Sequence, residues 1–246
     1  KTLISIIASL LTLGFVHTTY ADGHKVYGPY PITLKGYDGD KTNSVKYTGQ
    51  MARQALHDSL KALVKSGDVA KMMAYYNGED GLEIIAPKSK DDFKIKQTMI
   101  ADIGSGNLSG KTYKGAVAGW GNLTGPEVLE HMMTKAGEVD GGFDPNTGFD
   151  YTQLISKFAM GAVFYNQAAN NYLGKKMKIG EKPNNKPYKE GSYYTGKEHS
   201  WDEAFGYWGA AAHALTLSAE ETYNVAKMKD LAAADYNGDG VVDLYS

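Results

Sequence analysis

Asp235, Asn237, Asp239, Val241 and Asp243 occupy positions 1, 3, 5, 7 and 9 of a D-x-N-x-D-G-x-x-D loop at the C-terminal end of the chain. Ca²⁺ is a hard cation that takes six to eight oxygens, and an EF-hand loop supplies them from these positions. Four side chains and the Val241 carbonyl would do so here, with Asp243 binding directly or through a water. Gly240 stands at position 6, where the backbone must turn sharply. The pattern departs at position 12, where Ser246 replaces the usual bidentate Glu. Calcium is therefore the expected ion, with a structural role at the end of the last helix.

A second group lies upstream: Glu198, His199, Asp202 and Glu203. On one continuous helix, His199 and Glu203 share a face, as do Glu198 and Asp202, and either pair could hold a divalent metal or a small ligand. The competing reading is local. Ser200-Trp-Asp-Glu203 fits a capping box, which would leave His199 outside the helix and make the acids complements of its dipole. The other histidines, His24, His57, His131 and His213, with His17 in the expected signal segment, are isolated, and no H-E-x-x-H pair occurs. Ser105-Gly-Asn-Leu-Ser-Gly110-Lys111-Thr112 imitates a phosphate loop, but the first Gly is missing and a poor helix former follows.

The chain has no cysteine, which removes disulfides, thiolate metal sites, thiol nucleophiles and a lipid-anchored Cys. A net charge of −2 names neither a nucleic-acid nor a membrane-surface partner. Residues 1–21 read as a secretory signal, with Lys1, an apolar stretch from Leu3 to Val16, and Ala21 before Asp22. The expected location is the bacterial periplasm or the exterior. No other stretch is apolar enough for a transmembrane segment.

These ligands need elements to position them. Residues 44–66 show apolar residues at three- and four-residue steps and predict an amphipathic helix. A short helix over 68–77 ends at Asn77-Gly78. Thr124-Gly-Pro126-Glu127 is a capping box that starts a helix running to Gly137. Asp150 caps the longest helix, Tyr151 to Leu173, which is apolar nearly all round and is expected in mid-bundle, closed by Gly174. Helices from Ser200 to Leu215 and from the Ser218 box to Ala234 complete the set. The fold class is all-α: a bundle of about six helices with irregular Gly-rich loops, spanning 22–234, followed by the calcium loop at 235–246.

Three stretches carry a resemblance: Tyr47–Arg53, then Gly148–Lys157 with Met160–Ala162 and Gln167–Leu173, then Glu198–Tyr207. In order and wording they resemble a family of exported bacterial proteins known as domain of unknown function 4856. The resemblance implies a helical protein with an aspartate-rich loop after the third stretch. It also implies a distant link to imelysin-type proteins, periplasmic helical bundles associated with iron uptake, and so to outer-membrane uptake proteins as partners. Imelysins carry G-x-H-x-x-E. Gly196-Lys-Glu-His199-Ser-Trp-Asp-Glu203 has both spacings one residue longer. Family members continue past the acidic loop, so further residues are expected to complete it. The leading expectation is a periplasmic helical binding protein serving iron or haem acquisition, more a binder than an enzyme. The alternatives are a metal-dependent hydrolase on the same scaffold, or a structural, surface-interaction domain with calcium as its sole ligand.

Overall fold

The computed structural model describes residues 31–42, 44–85, 94–209, 217–226, 230–235 and 238–242. The segment read as a signal, together with His24, His213, Asn237 and Asp243, lies outside the described residues.

The chain folds as an all-α bundle. Helix α1, Thr48–Leu63, buries Ala52, Leu56, Leu60 and Leu63, one stripe at helical spacing. It tightens into a 3₁₀ turn over Val64–Ser66 and stops at Gly67. Helix α2, Val69–Asn77, is capped by Asp68, whose side chain accepts from the Lys71 N–H at 2.9 Å. It ends at Gly78, where φ is +63° and a Cβ would sit 2.1 Å from the Gly106 carbonyl oxygen. Only glycine meets both demands.

A one-turn helix α3, Ile100–Ile103, precedes α4, Gly125–Gly137. The Thr124–Glu127 capping box forms as expected, with Glu127 accepting from the Thr124 N–H at 2.7 Å. Its buried face, Val128, Leu129, Met132, Met133 and Ala136, meets α2 and α5. Asp150 caps α5, Tyr151–Ala159, by accepting from the Gln153 N–H at 3.2 Å.

The long helix differs from its sequence reading. From Met160 to Lys176 it continues as a π-helix and runs through Gly174 rather than stopping there. A π-helix closes each hydrogen bond one residue later than an α-helix. Its buried residues, Val163, Phe164, Gln167, Ala168 and Tyr172, therefore recur every four to five positions. Leu173, which a 3.6-residue period carried on from α5 would bury, turns outward and is 44% exposed. The long helix packs against α1, α4 and α6, and its π-helical half buries one side.

Helix α6, Gly196–Trp208, packs against the π-helix and α1. Gly206 permits this approach: a Cβ there would lie 2.7 Å from Gln50 Cβ and 2.9 Å from Tyr47 Cβ. One core joins these helices, with Leu56, Leu60, Met72, Tyr76, Leu129, Met133, Ile155, Val163 and Tyr207 among its buried members.

Helix α7, Ala219–Ala226, starts from the Ser218 box, whose N–H and hydroxyl both donate to Glu221 Oε2. Strands are two residues long: β1 (Lys94–Ile95), β2 (Phe143–Asp144), β3 (Phe149–Asp150) and β4 (Val241–Val242). Strands β2 and β3 form a hairpin, and β4 pairs parallel with β1. Leu231, Ala234 and Val242 make a small separate cluster beneath the C-terminal loop. Among the described residues, no helix is long and apolar enough to cross a membrane.

Candidate functional site

Helix α6 begins five residues before the expected start. Thr195 is its N-cap: the Thr195 hydroxyl accepts from the Glu198 N–H at 3.2 Å, and Glu198 Oε2 accepts from the Thr195 N–H at 2.7 Å. Thr195-Gly-Lys-Glu198 is the true box, and Ser200 is inside the helix. Buried there, Ser200 donates its hydroxyl back to the Gly196 carbonyl at 2.8 Å. His199 is therefore a helical residue, and the reading that left it outside is corrected.

Glu198 leaves the group. Its other oxygen, Oε1, accepts from the Thr33 hydroxyl at 2.7 Å, so the whole carboxylate serves the helix start. The remaining three converge. His199 Nδ1 lies 3.4 Å from Asp202 Oδ1, and His199 Nε2 lies 3.5 Å from Glu203 Oε2. The imidazole stands between two carboxylates, one facing each nitrogen. Its ring is flanked by Tyr188, at 4.9 Å between centroids, and Tyr194, at 4.8 Å.

The two carboxylates have different surroundings. Asp202 is 2% exposed. Its Oδ2 accepts from the Lys46 backbone N–H, reaching across from the segment before α1. Burial pushes its pKa up to about 6, against the easing effect of His199 and the Lys46 N–H, with Glu203 adding to the rise. Glu203 is half-buried and works as a hub: its Oε1 accepts from Gln50 Nε2 at 2.9 Å and from the Tyr172 hydroxyl at 3.1 Å. The Tyr172 phenol is raised well above its ordinary value, first by burial and then by the Glu203 charge.

His199 Nδ1 and Asp202 Oδ1 form no hydrogen bond in this geometry, but the buried carboxylate behind Nδ1 favours the tautomer with its proton there, leaving the Nε2 lone pair toward Glu203. Nε2 and Glu203 Oε2 are then two donors on one side, 3.5 Å apart. Two ligands bound at about 2.1 Å to a tetrahedral ion stand roughly that far from each other. The arrangement fits an ion held by His199 and Glu203, with Asp202 orienting the ring. The donor set is short, because no group of three or more His, Asp or Glu side chains that could hold a metal forms among the described residues. His57 faces Ser156, with Nε2 3.2 Å from its carbonyl oxygen, and His131 stacks edge-on against Trp120.

In the C-terminal loop, Asp235 Oδ1 accepts from the N–H groups of Gly238 and Asp239, and Oδ2 accepts from that of Gly240. Asp239 Oδ1 accepts from the Val241 N–H at 2.9 Å. The loop is thus wound around its first carboxylate, and Val241 belongs to β4. The oxygen-only donor set suits calcium: Asp235 and Asp239 by carboxylate, Val241 by carbonyl.

The sequence reading did not single out Gln50, Tyr172 or Tyr207. Gln50 and Tyr172 reach Glu203 from residues 153 and 31 positions away, and no local pattern encodes such separations. Tyr207 had a signal: it follows Glu203 by one helical turn, on the same face.

Residues 129–237 match the model of a family described as Domain of unknown function (DUF4856). The match takes in the second and third of the three resembling stretches, and with them His199, Asp202, Glu203 and Tyr172; the first stretch, 47–53, precedes it. No curated protein and no solved structure matches the chain.

Proposed function

We propose that this chain is an exported helical binding protein that takes a metal ion as cargo at His199 and Glu203, with calcium clamping its C-terminal loop. The observation that carries the reading is the start of α6 at Thr195, which brings His199 and Glu203 onto one face at 3.5 Å. Imidazole plus carboxylate suits iron among first-row metals. Two protein donors leave coordination positions for water or for ligands that the ion brings with it, as suits a cargo that must be released. Haem is less well supported, because the Tyr188 and Tyr194 rings flank the imidazole. Delivery to, or receipt from, outer-membrane uptake proteins in the periplasm belongs to the same reading.

Anaerobic titration with Fe(II), followed by native mass spectrometry, tests it. Wild type should take up one ion per chain, and both His199→Ala and Glu203→Ala should lose it. Uptake unchanged in both variants would overturn the reading.

A metal-dependent hydrolase is the second reading. It draws support from Asp202, a carboxylate with a pKa near 6 beside a histidine. At 2% exposure Asp202 cannot touch a substrate, so His199 or Glu203 would be the base and Asp202 the residue that positions it. Hydrolysis of generic phosphate or carboxyl esters by metal-loaded wild type, abolished in His199→Ala, would favour this reading over simple carriage.

A further inference from the structure

Next to the His199 pair lies a cluster that the metal reading does not use. Arg53, Lys111 and Lys176 come from α1, from the 3₁₀ turn at Ser109–Lys111 and from the end of the π-helix, yet Arg53 lies by Tyr207, Lys176 lies over Tyr172, and Lys111 is within electrostatic reach of Arg53, Lys176 and Glu203. Their positions are held from behind. Arg53 donates Nε to the Asn107 carbonyl at 3.0 Å and Nη1 to the Gly49 carbonyl at 2.9 Å. Its guanidinium carbon lies 5.8 Å from the Tyr207 ring. The Lys111 carbonyl accepts from Gln167 Nε2 at 2.7 Å, which ties that turn to the π-helix one turn before Tyr172. Lys176 Nζ stands 3.6 Å over the Tyr172 ring.

The charges do not balance. The half-buried Lys111 and Lys176 both lean on Glu203, which is already engaged by Gln50, Tyr172 and His199. Among the described residues, neither the Lys111 nor the Lys176 ammonium forms an ion pair. Both lysines are pushed below the ordinary ammonium value, first by burial; Arg53 repels the proton on Lys111 more than Glu203 holds it, while on Lys176 Glu203 holds the proton against repulsion by Lys111 and Lys182. These like charges share Glu203 as their counter-charge.

One more group is unsatisfied. Tyr207 is 1% exposed, lies against Tyr172 at 5.6 Å between ring centroids, and its hydroxyl has no hydrogen-bond partner among the described residues. A buried hydroxyl left unpaired costs free energy unless a ligand or water accepts from it.

We infer that Arg53, Lys111, Lys176 and Tyr207 form a seat for a small oxyanion, a carboxylate or phosphate group. Guanidinium and ammonium supply the charge, and the Tyr207 hydroxyl donates to the anion. The inference goes beyond the metal reading and does not rest on it, because none of these four residues is a proposed metal ligand.

Calorimetric titration of chelator-treated wild-type protein with citrate, and separately with inorganic phosphate, tests the seat. Binding of at least one probe is expected, weakening as ionic strength rises. The stronger probe identifies the anion's class. A Lys111→Gln/Lys176→Gln variant should bind at least roughly tenfold more weakly, and Tyr207→Phe, which removes a single hydroxyl, should lose a few-fold to roughly tenfold. Far-UV circular dichroism identifies any variant that fails to fold, and Tyr207→Phe then carries the test. No binding of either probe by wild type overturns the inference. So does a folded Lys variant, or a Tyr207→Phe variant, that binds as tightly as wild type.

Discussion

The Tyr172 hydroxyl donates to Glu203 Oε1 across 3.1 Å, joining the π-helical half of the long helix to α6. The same oxygen accepts from Gln50 of α1, so one carboxylate links three helices. Removing it strands two buried donors at once.

Glu203→Ala should therefore destabilise the fold by about 2–3 kcal/mol, the order expected when buried donors lose their acceptor. Glu203→Gln keeps an oxygen for them and should cost about 1 kcal/mol or less. Urea denaturation of metal-free protein measures both. Equal stabilities for the two variants would remove Glu203 from its role as hub.

Asp202 gives the stability a pH dependence whose sign follows from its raised pKa. The folded value, about 6, lies above the ordinary 3.8, so between these values the native state holds a proton that the unfolded chain has lost. Stability contributed by this group is present below about pH 4, falls as pH rises toward 6, and stays low above it. The groups facing it are His199 and Glu203 on α6, Tyr194 and the Lys46 N–H. The shift corresponds to roughly 3 kcal/mol. Asp202→Asn should be more stable than wild type at pH 7.5 by up to that amount, and no more stable at pH 4. A wild-type stability flat from pH 4 to 6 would count against this account.

The N-terminus of α6 can be located by substitution. Thr195→Ala removes the cap and should cost about 1 kcal/mol. Ser200→Ala removes a back-bond to Gly196 inside the helix and should cost about 0.5 kcal/mol or less. The opposite order, in thermal or urea melts, would return the cap to Ser200 and put His199 outside the helix.

Calcium should raise the melting temperature, with stabilisation growing as the logarithm of its concentration, about 2.7 kcal/mol at one hundred times Kd. Asp239→Ala should abolish the calcium response while leaving Fe(II) uptake at His199 intact. A melting temperature indifferent to both calcium and chelator would end the structural-clamp reading.

Much of the bundle was legible from local patterns. Thr124 and Asp150 each announced a helix that begins where its cap falls, because capping chemistry is confined to a few residues. The same locality caused the error at α6. Thr195-Gly-Lys-Glu198 and Ser200-Trp-Asp-Glu203 both satisfy the box, and tertiary contacts decide between them: Thr33 secures Glu198, while Gln50 and Tyr172 take Glu203. The π-helix was hidden for a different reason. A 3.6-residue period applied to Met160–Lys176 makes it apolar on most sides, and only the wider hydrogen-bonded ring shows which side is buried. The burial of Asp202 had no local sign, since the group that meets it lies 156 residues earlier.

The parallel pairing of Val241–Val242 with Lys94–Ile95 has a kinetic side. It closes a loop containing most of the chain with a ladder two residues long. Such a contact repays its closure entropy only after the intervening helices have packed. The C-terminal segment should thus be the last part to dock in refolding and the first to exchange its amide hydrogens in the native state. An ion bound there would act as a latch on an already assembled bundle, slowing its opening without guiding its assembly.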